Sequence, residues 1–149
     1  MFFEKCVLYN QLSLDELYEI LRLRHLVFVI EQDCIFMDAD RFDRMAHHLL
    51  LFDEKGILAG YSRLFDIGNP YPGFLSIGRV VTHPDYRNKK CGKQLMQSSI
   101  FRIRNLFGNH PIKIGAQAYL KDFYKSFGFK DIGQYYLEDS IPHLKMILP

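Results

Sequence analysis

Several features that mark secreted, membrane-bound or tightly cross-linked chains are missing from this sequence. It contains no tryptophan and only three cysteines, Cys6, Cys34 and Cys91, which have no CxxC spacing and cannot all pair with one another. We therefore expect free thiols in a reducing compartment. No apolar run reaches the length of a membrane span, and the N-terminal residues do not resemble a signal peptide, so we expect a cytoplasmic protein without membrane contact.

A strong charge of one sign is also missing. The net charge is +2 with histidine neutral, and acidic and basic residues are mixed along the chain, which argues against a nucleic-acid partner. The acidic segment 38–43 lacks the glycine and the closing glutamate of a calcium loop, and His47 and His48 would point to opposite faces of a strand. We therefore expect no bound metal.

The remaining composition predicts one packed domain over residues 1–149, since 48% of the residues are hydrophobic and no segment has low complexity. Ser13 and Glu16 form the S-x-x-E pattern of a capping box in front of an amphipathic helix over about 14–30. Further helices are predicted over about 91–106 and 119–127, and strands at the N-terminus and at 48–52, 58–65, 74–82, 112–116, 129–137 and 143–148. This order of elements predicts an α/β (α+β) fold whose mixed sheet is covered by helices on both faces.

The stretch from Arg87 to Gly92 reads R-x-x-K-x-G and lies between a predicted strand and a predicted helix. The first N–H groups of a helix have no helical partner, and the helix dipole adds partial positive charge, so such an end binds phosphate. Gly92 allows close approach of the backbone, and the charge that suits a small polyanion comes from Lys89, Lys90 and Lys93. On spacing alone, a solvated basic start to an ordinary helix is an equally good interpretation.

Two blocks of the sequence resemble the GNAT N-acetyltransferase superfamily. The run from Val80 to Leu95 is similar to its signature strand, loop and helix, in which an apolar strand and a proline precede R/Q-x-x-G-x-G/A. A second block resembles the N-x-x-A…Y-x-x-x-G-F segment of the superfamily, at Gln117, Ala118, Phe123, Tyr124, Phe127, Gly128 and Phe129. Four segments of this chain resemble motifs of the ElaA-like branch of the superfamily: 24–32, 77–80, 116–120 and 138–143. Lys90 departs from the pattern, because most members have glycine there.

This resemblance implies a mostly antiparallel central sheet of about six to seven strands, flanked by helices on both faces. It also implies transfer of an acetyl group from acetyl-CoA to a primary amine of a small-molecule or peptide acceptor. The pantetheine arm would bond the backbone of Val80, Val81 and Thr82, and Gln117 would line the cleft. The pyrophosphate would lie on the loop formed by Arg87, Asn88, Lys89, Lys90, Cys91, Gly92 and Lys93. Many relatives are dimers, which leaves a homodimer as one possibility.

The resemblance also suggests catalytic groups. Tyr124 matches the tyrosine that protonates the departing CoA thiolate, whereas its spacing alone favours a core tyrosine on a short helix. The general base is open among Glu31, His48 and His143, of which the branch motifs include Glu31 and His143. Contacts with the acceptor are predicted for His48, Arg79 and Asp40.

Two further expectations concern charge. The acidic segment 38–43, with Asp40 and Asp43, indicates attraction for a cationic acceptor, as does the pair Glu138 and Asp139. Cys91 would lie at a helix N-terminus among cations, a setting that lowers the pKa of a thiol.

Two alternative functions stay open. Acyl-homoserine-lactone synthases share the patterns at 24–28 and 40–43 and the arginine at Arg63, but they carry a glutamate where this chain has Ser76 and a tryptophan that this chain lacks. A non-catalytic domain that binds acyl-CoA is not excluded by any residue of the sequence.

Overall fold

The computed structural model describes residues 1–149 and contains the strands and helices in the predicted order. Their bounds are β1 (Phe3–Leu8), α1 (Leu14–Arg24), β2 (His47–Phe52), β3 (Leu58–Phe65), β4 (Ser76–Thr82), α2 (Cys91–Phe107), β5 (Ile112–Gln117), α3 (Lys121–Lys125), β6 (Lys130–Glu138) and β7 (Ile141–Leu148). Most predicted boundaries lie within two residues of these bounds. The predicted α/β (α+β) fold is confirmed.

The strands form two antiparallel sheets rather than one continuous sheet. One has the order β1-β2-β3-β4 and the other the order β5-β7-β6. They are joined by a single parallel bridge between Leu75 and Ile112, where the amide of Lys113 donates to the carbonyl of Leu75 at 2.9 Å. Beyond this bridge β4 and β5 are not paired, so the two sheets separate and leave a cleft between these strands.

Successive side chains of β2 point to opposite faces of the sheet, and this alternation decides where the helices pack. Leu49 and Leu51 lie on one face with Leu95 of α2, while Leu50 lies on the other face with Ile20 of α1. All five side chains are fully buried, and burial of a leucine or isoleucine contributes about 1.5–3 kcal/mol. The helices therefore cover opposite faces of the first sheet, as predicted.

The helix predicted over 14–30 is α-helical in its first part and π-helical in its second. Its start has the predicted capping box, since the Ser13 hydroxyl accepts from the Glu16 amide at 3.0 Å and the Glu16 carboxylate accepts from the Ser13 amide at 2.8 Å. After Arg24 the chain continues as a π-helical segment over His25–Glu31. Wider turns of this kind are frequent at functional sites, and this one ends beside the cleft.

Candidate active site

The cleft between β4 and β5 has a volume of about 910 Å³, within the range typical of small-molecule sites. Its walls come from both sheets, from the π-helical segment and the loop that follows it, and from the segment in front of α2. A long, flexible ligand can therefore lie between the sheets and reach α2.

The predicted phosphate loop forms one end of this cleft. A 3-10 segment over Pro84–Lys89 leads to Lys90, whose φ of 60° and ψ of 18° are left-handed, and α2 begins at Cys91. Glycine adopts this conformation at least cost, so the glycine that the resemblance implies there would fit this turn. The first amides of α2 have no helical acceptor, and the exposed cations around them are Arg87, Lys89, Lys90 and Lys93.

The strand walls contain the residues predicted to hold the pantetheine arm. Val80, Val81, Thr82 and Gln117 all line the cleft. The side-chain amide of Gln117 exchanges two hydrogen bonds with that of Gln32, at 3.2 and 3.1 Å. This pair links β5 to the end of the π-helical segment, a contact that periodicity along the chain could not reveal.

Tyr124 of α3 is both a core residue and a cleft residue. The residue is only 6% exposed and packs in the largest apolar cluster, yet it also lines the cleft. Its hydroxyl is not one of the fully enclosed polar atoms that have no hydrogen-bond partner. Burial raises the pKa of this phenol further above its usual value, with a smaller contribution from Tyr119. The hydroxyl therefore keeps its proton at neutral pH and can donate a hydrogen bond to a group in the cleft.

His143 of β7 also lines the cleft. Its Nδ1 lies 2.7 Å from the carbonyl oxygen of Ile141, and a carbonyl only accepts, so Nδ1 carries the proton. In the neutral ring Nε2 is then the acceptor, and it lies 3.5 Å from the Glu138 carboxylate. The ring stacks on Tyr136 with centroids 5.4 Å apart, which fixes its orientation.

Arg79 enters the cleft from a β-bulge. Ser62 of β3 faces two residues of β4, Arg79 and Val80, between the regular pairs that flank them. Arg79 has a φ of 47°. Bulges redirect side chains next to active sites, and this one turns the Arg79 guanidinium toward the loop after the π-helical segment.

Three arginines and three aspartates form a closed ring of alternating charge at this place. The ion pairs are Arg24–Asp38 at 2.9 Å, Asp38–Arg79 at 2.9 Å, Arg79–Asp40 at 3.3 Å, Asp40–Arg63 at 2.6 Å, Arg63–Asp43 at 3.0 Å and Asp43–Arg24 at 2.7 Å. Each aspartate contacts two guanidinium groups, so the charges within the ring cancel. The ring ties α1, β3 and β4 to the loop that borders the cleft.

A family model described as an acetyltransferase (GNAT) domain matches residues 35–149, which is most of the chain. The chain belongs to the GNAT acetyltransferase family. Members are acyltransferases that take the acyl group from acetyl-CoA or another acyl-CoA, and the predicted ElaA-like branch of GNAT proteins is confirmed by the relatives.

Those relatives match over nearly the whole length. The chain is 37% identical to a UPF0039 protein of Schizosaccharomyces pombe, over 94% of this chain and 92% of that one. It is 36% identical to protein ElaA of Escherichia coli, over 93% and 90% of the two chains. The crystal structure of an acyl-CoA N-acyltransferase from Pseudomonas aeruginosa superposes with a TM-score of 0.93 at 36% identity, covering 100% of both chains.

The GNAT fold does not bring all the predicted residues together. His48 is fully buried, its Nδ1 lies 2.6 Å from the Tyr61 hydroxyl and its Nε2 lies 2.8 Å from the Asp43 carbonyl. It is absent from the cleft lining, and burial lowers its pKa. The structure contradicts the predicted roles of His48 as base or acceptor contact, because both ring nitrogens hold the core together.

Glu31 lines the GNAT cleft at the end that holds the phosphate loop. Both of its carboxylate oxygens accept from Arg87, one of them at 2.9 Å. This pairing makes Glu31 a partner of the phosphate loop. Its predicted role as general base stays a prediction.

Two charge-based expectations are also wrong. Asp40 and Asp43 do not offer free negative charge to a cationic acceptor, since Arg24, Arg63 and Arg79 neutralise them, although Asp40 itself lines the cleft. Cys91 is fully buried, and burial raises the pKa of its thiol to about 11. Its thiol packs in the core against Leu49, Leu51 and Leu95, so only the Cys91 amide can face a ligand.

None of the helices combines the length and the hydropathy that a membrane span requires. Histidine, cysteine and acidic side chains are nowhere grouped in threes or more that could hold a metal ion.

Proposed function

We propose that this protein transfers an acetyl group from acetyl-CoA to a primary amine. One observation carries the proposal: a single cleft contains a protonated phenol at Tyr124, an imidazole at His143 whose Nδ1 holds the proton, and a cationic helix start at the phosphate loop. These three features provide an acid, a base and an anion site for one reaction.

The donor would lie along the separated edge of β4. The backbone from Val80 to Thr82 would bond the pantetheine arm, with Gln117 on the facing wall. The amides from Asn88 to Lys93 would hold the pyrophosphate, helped by the dipole of a helix of 17 residues. The thioester would then lie near the bulge at Arg79, between the two sheets.

Both His143 and Tyr124 would take part in the reaction at this place. An amine attacks a thioester only when neutral, and its nitrogen must then lose one proton to become the amide, so Nε2 of His143 would take that proton as the carbon–nitrogen bond forms. The carbon–sulfur bond then breaks, and the sulfur leaves as a thiolate. The phenol of Tyr124 has a pKa above that of an ordinary thiol. It therefore keeps its proton in the ground state and donates a hydrogen bond to sulfur as negative charge develops there.

A panel of primary amines and polyamines with acetyl-CoA tests the proposal, with free thiol and acetylated product both measured. We expect amine-dependent release of CoA with one acetylated product per thiol. Tight CoA binding without turnover on any amine would support the non-catalytic module instead.

Turnover restricted to S-adenosylmethionine with an acyl-carrier protein would support the lactone-synthase alternative. The residues that suggested that alternative, Arg24, Asp40, Asp43 and Arg63, all lie in the ion-pair ring. Their pattern therefore has a structural explanation in this chain.

A further inference from the structure

A lysine lies between two tyrosines on the cleft wall opposite the ion-pair ring. Nζ of Lys145 is 2.8 Å from the Tyr71 hydroxyl and 3.2 Å from the Tyr136 hydroxyl. It is also 4.6 Å and 4.3 Å from the centroids of the two rings, close enough for cation–π attraction. We call Lys145, Tyr71 and Tyr136 the lysine cage.

The lysine cage lies on the same wall as His143. In the register of β7, Lys145 faces Gly115 and His143 faces Gln117, and all four residues line the cleft. Residues two apart on a strand project from the same face, about 7 Å apart. Gly115 keeps the place open, because a side chain there would collide with the Tyr136 hydroxyl. A ligand of modest size can therefore reach His143 and Lys145 together.

Lys145 is the one basic side chain of the cleft without a carboxylate partner. Arg63 and Arg79 are held in the ring, and Arg87 is paired with Glu31. The acids Glu138 and Asp139 also line the cleft, but both are exposed to solvent and neither reaches Lys145 within 4.0 Å. The partners of Lys145 are neutral phenols, which leave its positive charge uncompensated.

The ammonium stays protonated at neutral pH. Burial alone lowers its pKa, but hydrogen bonds to Tyr71 and Tyr136 outweigh burial and the net shift is upward. A lysine in this state is neither a base nor a nucleophile. Two of its three N–H donors are directed to the phenols, and the third is free for a charge-assisted hydrogen bond.

We infer that Lys145, oriented by Tyr71 and Tyr136, binds a carboxylate of the acceptor, so that the acceptor is a molecule carrying both a primary amine and a carboxylate. The inference rests on the proposed transfer to an amine and specifies its substrate class. The amine would reach His143 while the carboxylate reaches Lys145. Free amino acids and peptides with a free C-terminus share this chemistry.

Matched acceptors test the inference. Each ω-amino acid with five or six carbons is compared with its own carboxamide, since a carboxamide that far from the amine leaves the basicity of the amine almost unchanged. We expect kcat/KM to favour the acid about tenfold or more, the size of one charge-assisted hydrogen bond. A dipeptide and its C-terminal amide form a further pair, and a larger preference there would identify a peptide as the source of the carboxylate.

The substitution Lys145→Met removes the charge and keeps the length of the side chain. It should reduce the preference to about twofold or less, mainly through KM for the acid, while Lys145→Arg restores part of it. Lys113→Met is the control, because Lys113 also lies over the Tyr71 ring, at 5.2 Å, but does not line the cleft. It should leave the preference intact.

Equal use of acids and amides by the unmodified protein, or an unchanged preference in Lys145→Met, would overturn the inference. If no amine is acetylated, the proposed function fails on its own. Equilibrium binding of 6-aminohexanoate in the presence of CoA then decides the inference: weaker binding to Lys145→Met supports it, and equal binding overturns it.

Discussion

Replacing Asp43 with asparagine should destabilise the fold by about 3 kcal/mol. One carboxylate oxygen of Asp43 accepts from Arg24 at 2.7 Å and from Arg63 at 3.0 Å, and both arginines are almost completely buried. Removing one partner from a buried ion pair costs about 3–5 kcal/mol, because the other charge stays buried without compensation. Asparagine keeps one acceptor oxygen, so the lower end of that range applies.

This loss is large for a domain whose whole stability is about 5–15 kcal/mol. At roughly 2–4 °C per kcal/mol, the Tm should fall by about 6–12 °C. Urea unfolding followed by circular dichroism measures the free energy directly, with an unchanged m-value showing that the denatured state is unaltered. Asp85→Asn is the control, since that side chain is 82% exposed and its loss should stay within about 0.5 kcal/mol.

The pH dependence of the same variant has a definite sign. Burial alone raises the pKa of Asp43, but hydrogen bonds and charge from Arg24 and Arg63 outweigh it and hold the pKa below its usual value. The stability contributed by this ionised carboxylate is present above the ordinary aspartate pKa of about 3.9, and it is lost as pH falls through the lowered value. Asp43→Asn should therefore lose less stability on acidification. A loss below about 1 kcal/mol at neutral pH would refute the buried-ring account.

Four further predictions concern the loop and the base. Gly92→Ala should keep or raise the Tm, since a Cβ there would lie at ordinary contact distances, 3.6 Å from Thr82 and 3.7 Å from Phe123. The same methyl group should weaken CoA binding about tenfold by filling space above the helix start, and unchanged binding would contradict a CoA site at this loop. Lys90→Gly should raise stability by up to about 1 kcal/mol by removing left-handed strain, with CoA affinity retained; a large loss of affinity would show that the lysine charge is required. In the native protein Cys6 should react with a thiol reagent faster than buried Cys91, and peptide mapping that found Cys91 modified first would disprove its burial. His143→Ala should lower kcat/KM about 100-fold at neutral pH with partial rescue by imidazole, whereas a threefold effect would exclude it as the base.

Elements with a local physical signal could be predicted from the sequence. The strand at 58–65 was predicted with its observed bounds, because a run of apolar residues follows the turn at Gly56. The start of α1 follows from its capping box, and the phosphate loop follows from a strand, a proline and a basic helix start. These patterns lie within a few residues of one another, so periodicity and spacing detect them.

The rest depends on contacts between distant parts of the chain. The end of α1 becomes π-helical where it meets the cleft, and no local residue signals that change. The ring joins Arg24, Asp38 and Arg79, which lie far apart in the sequence. The sequence alone therefore does not show that its aspartates are paired with arginines. His48 and His143 both lie near the start of a strand. Only the fold shows that one faces the core and the other the cleft.

The kcat of Tyr124→Phe, measured with acetyl-CoA and amine both saturating, tests the central claim most directly. The substitution removes only the hydroxyl of a residue that lines the cleft, and it keeps the ring in the core. We predict a fall of about 100-fold or more in kcat, with the Kd for CoA within about threefold of its original value. Tyr18→Phe is the control and should lose no activity, because Tyr18 lies on α1, is 67% exposed and does not line the cleft. A kcat within threefold of the unmodified protein would contradict Tyr124 as the acid, and with it the proposed reaction in this cleft.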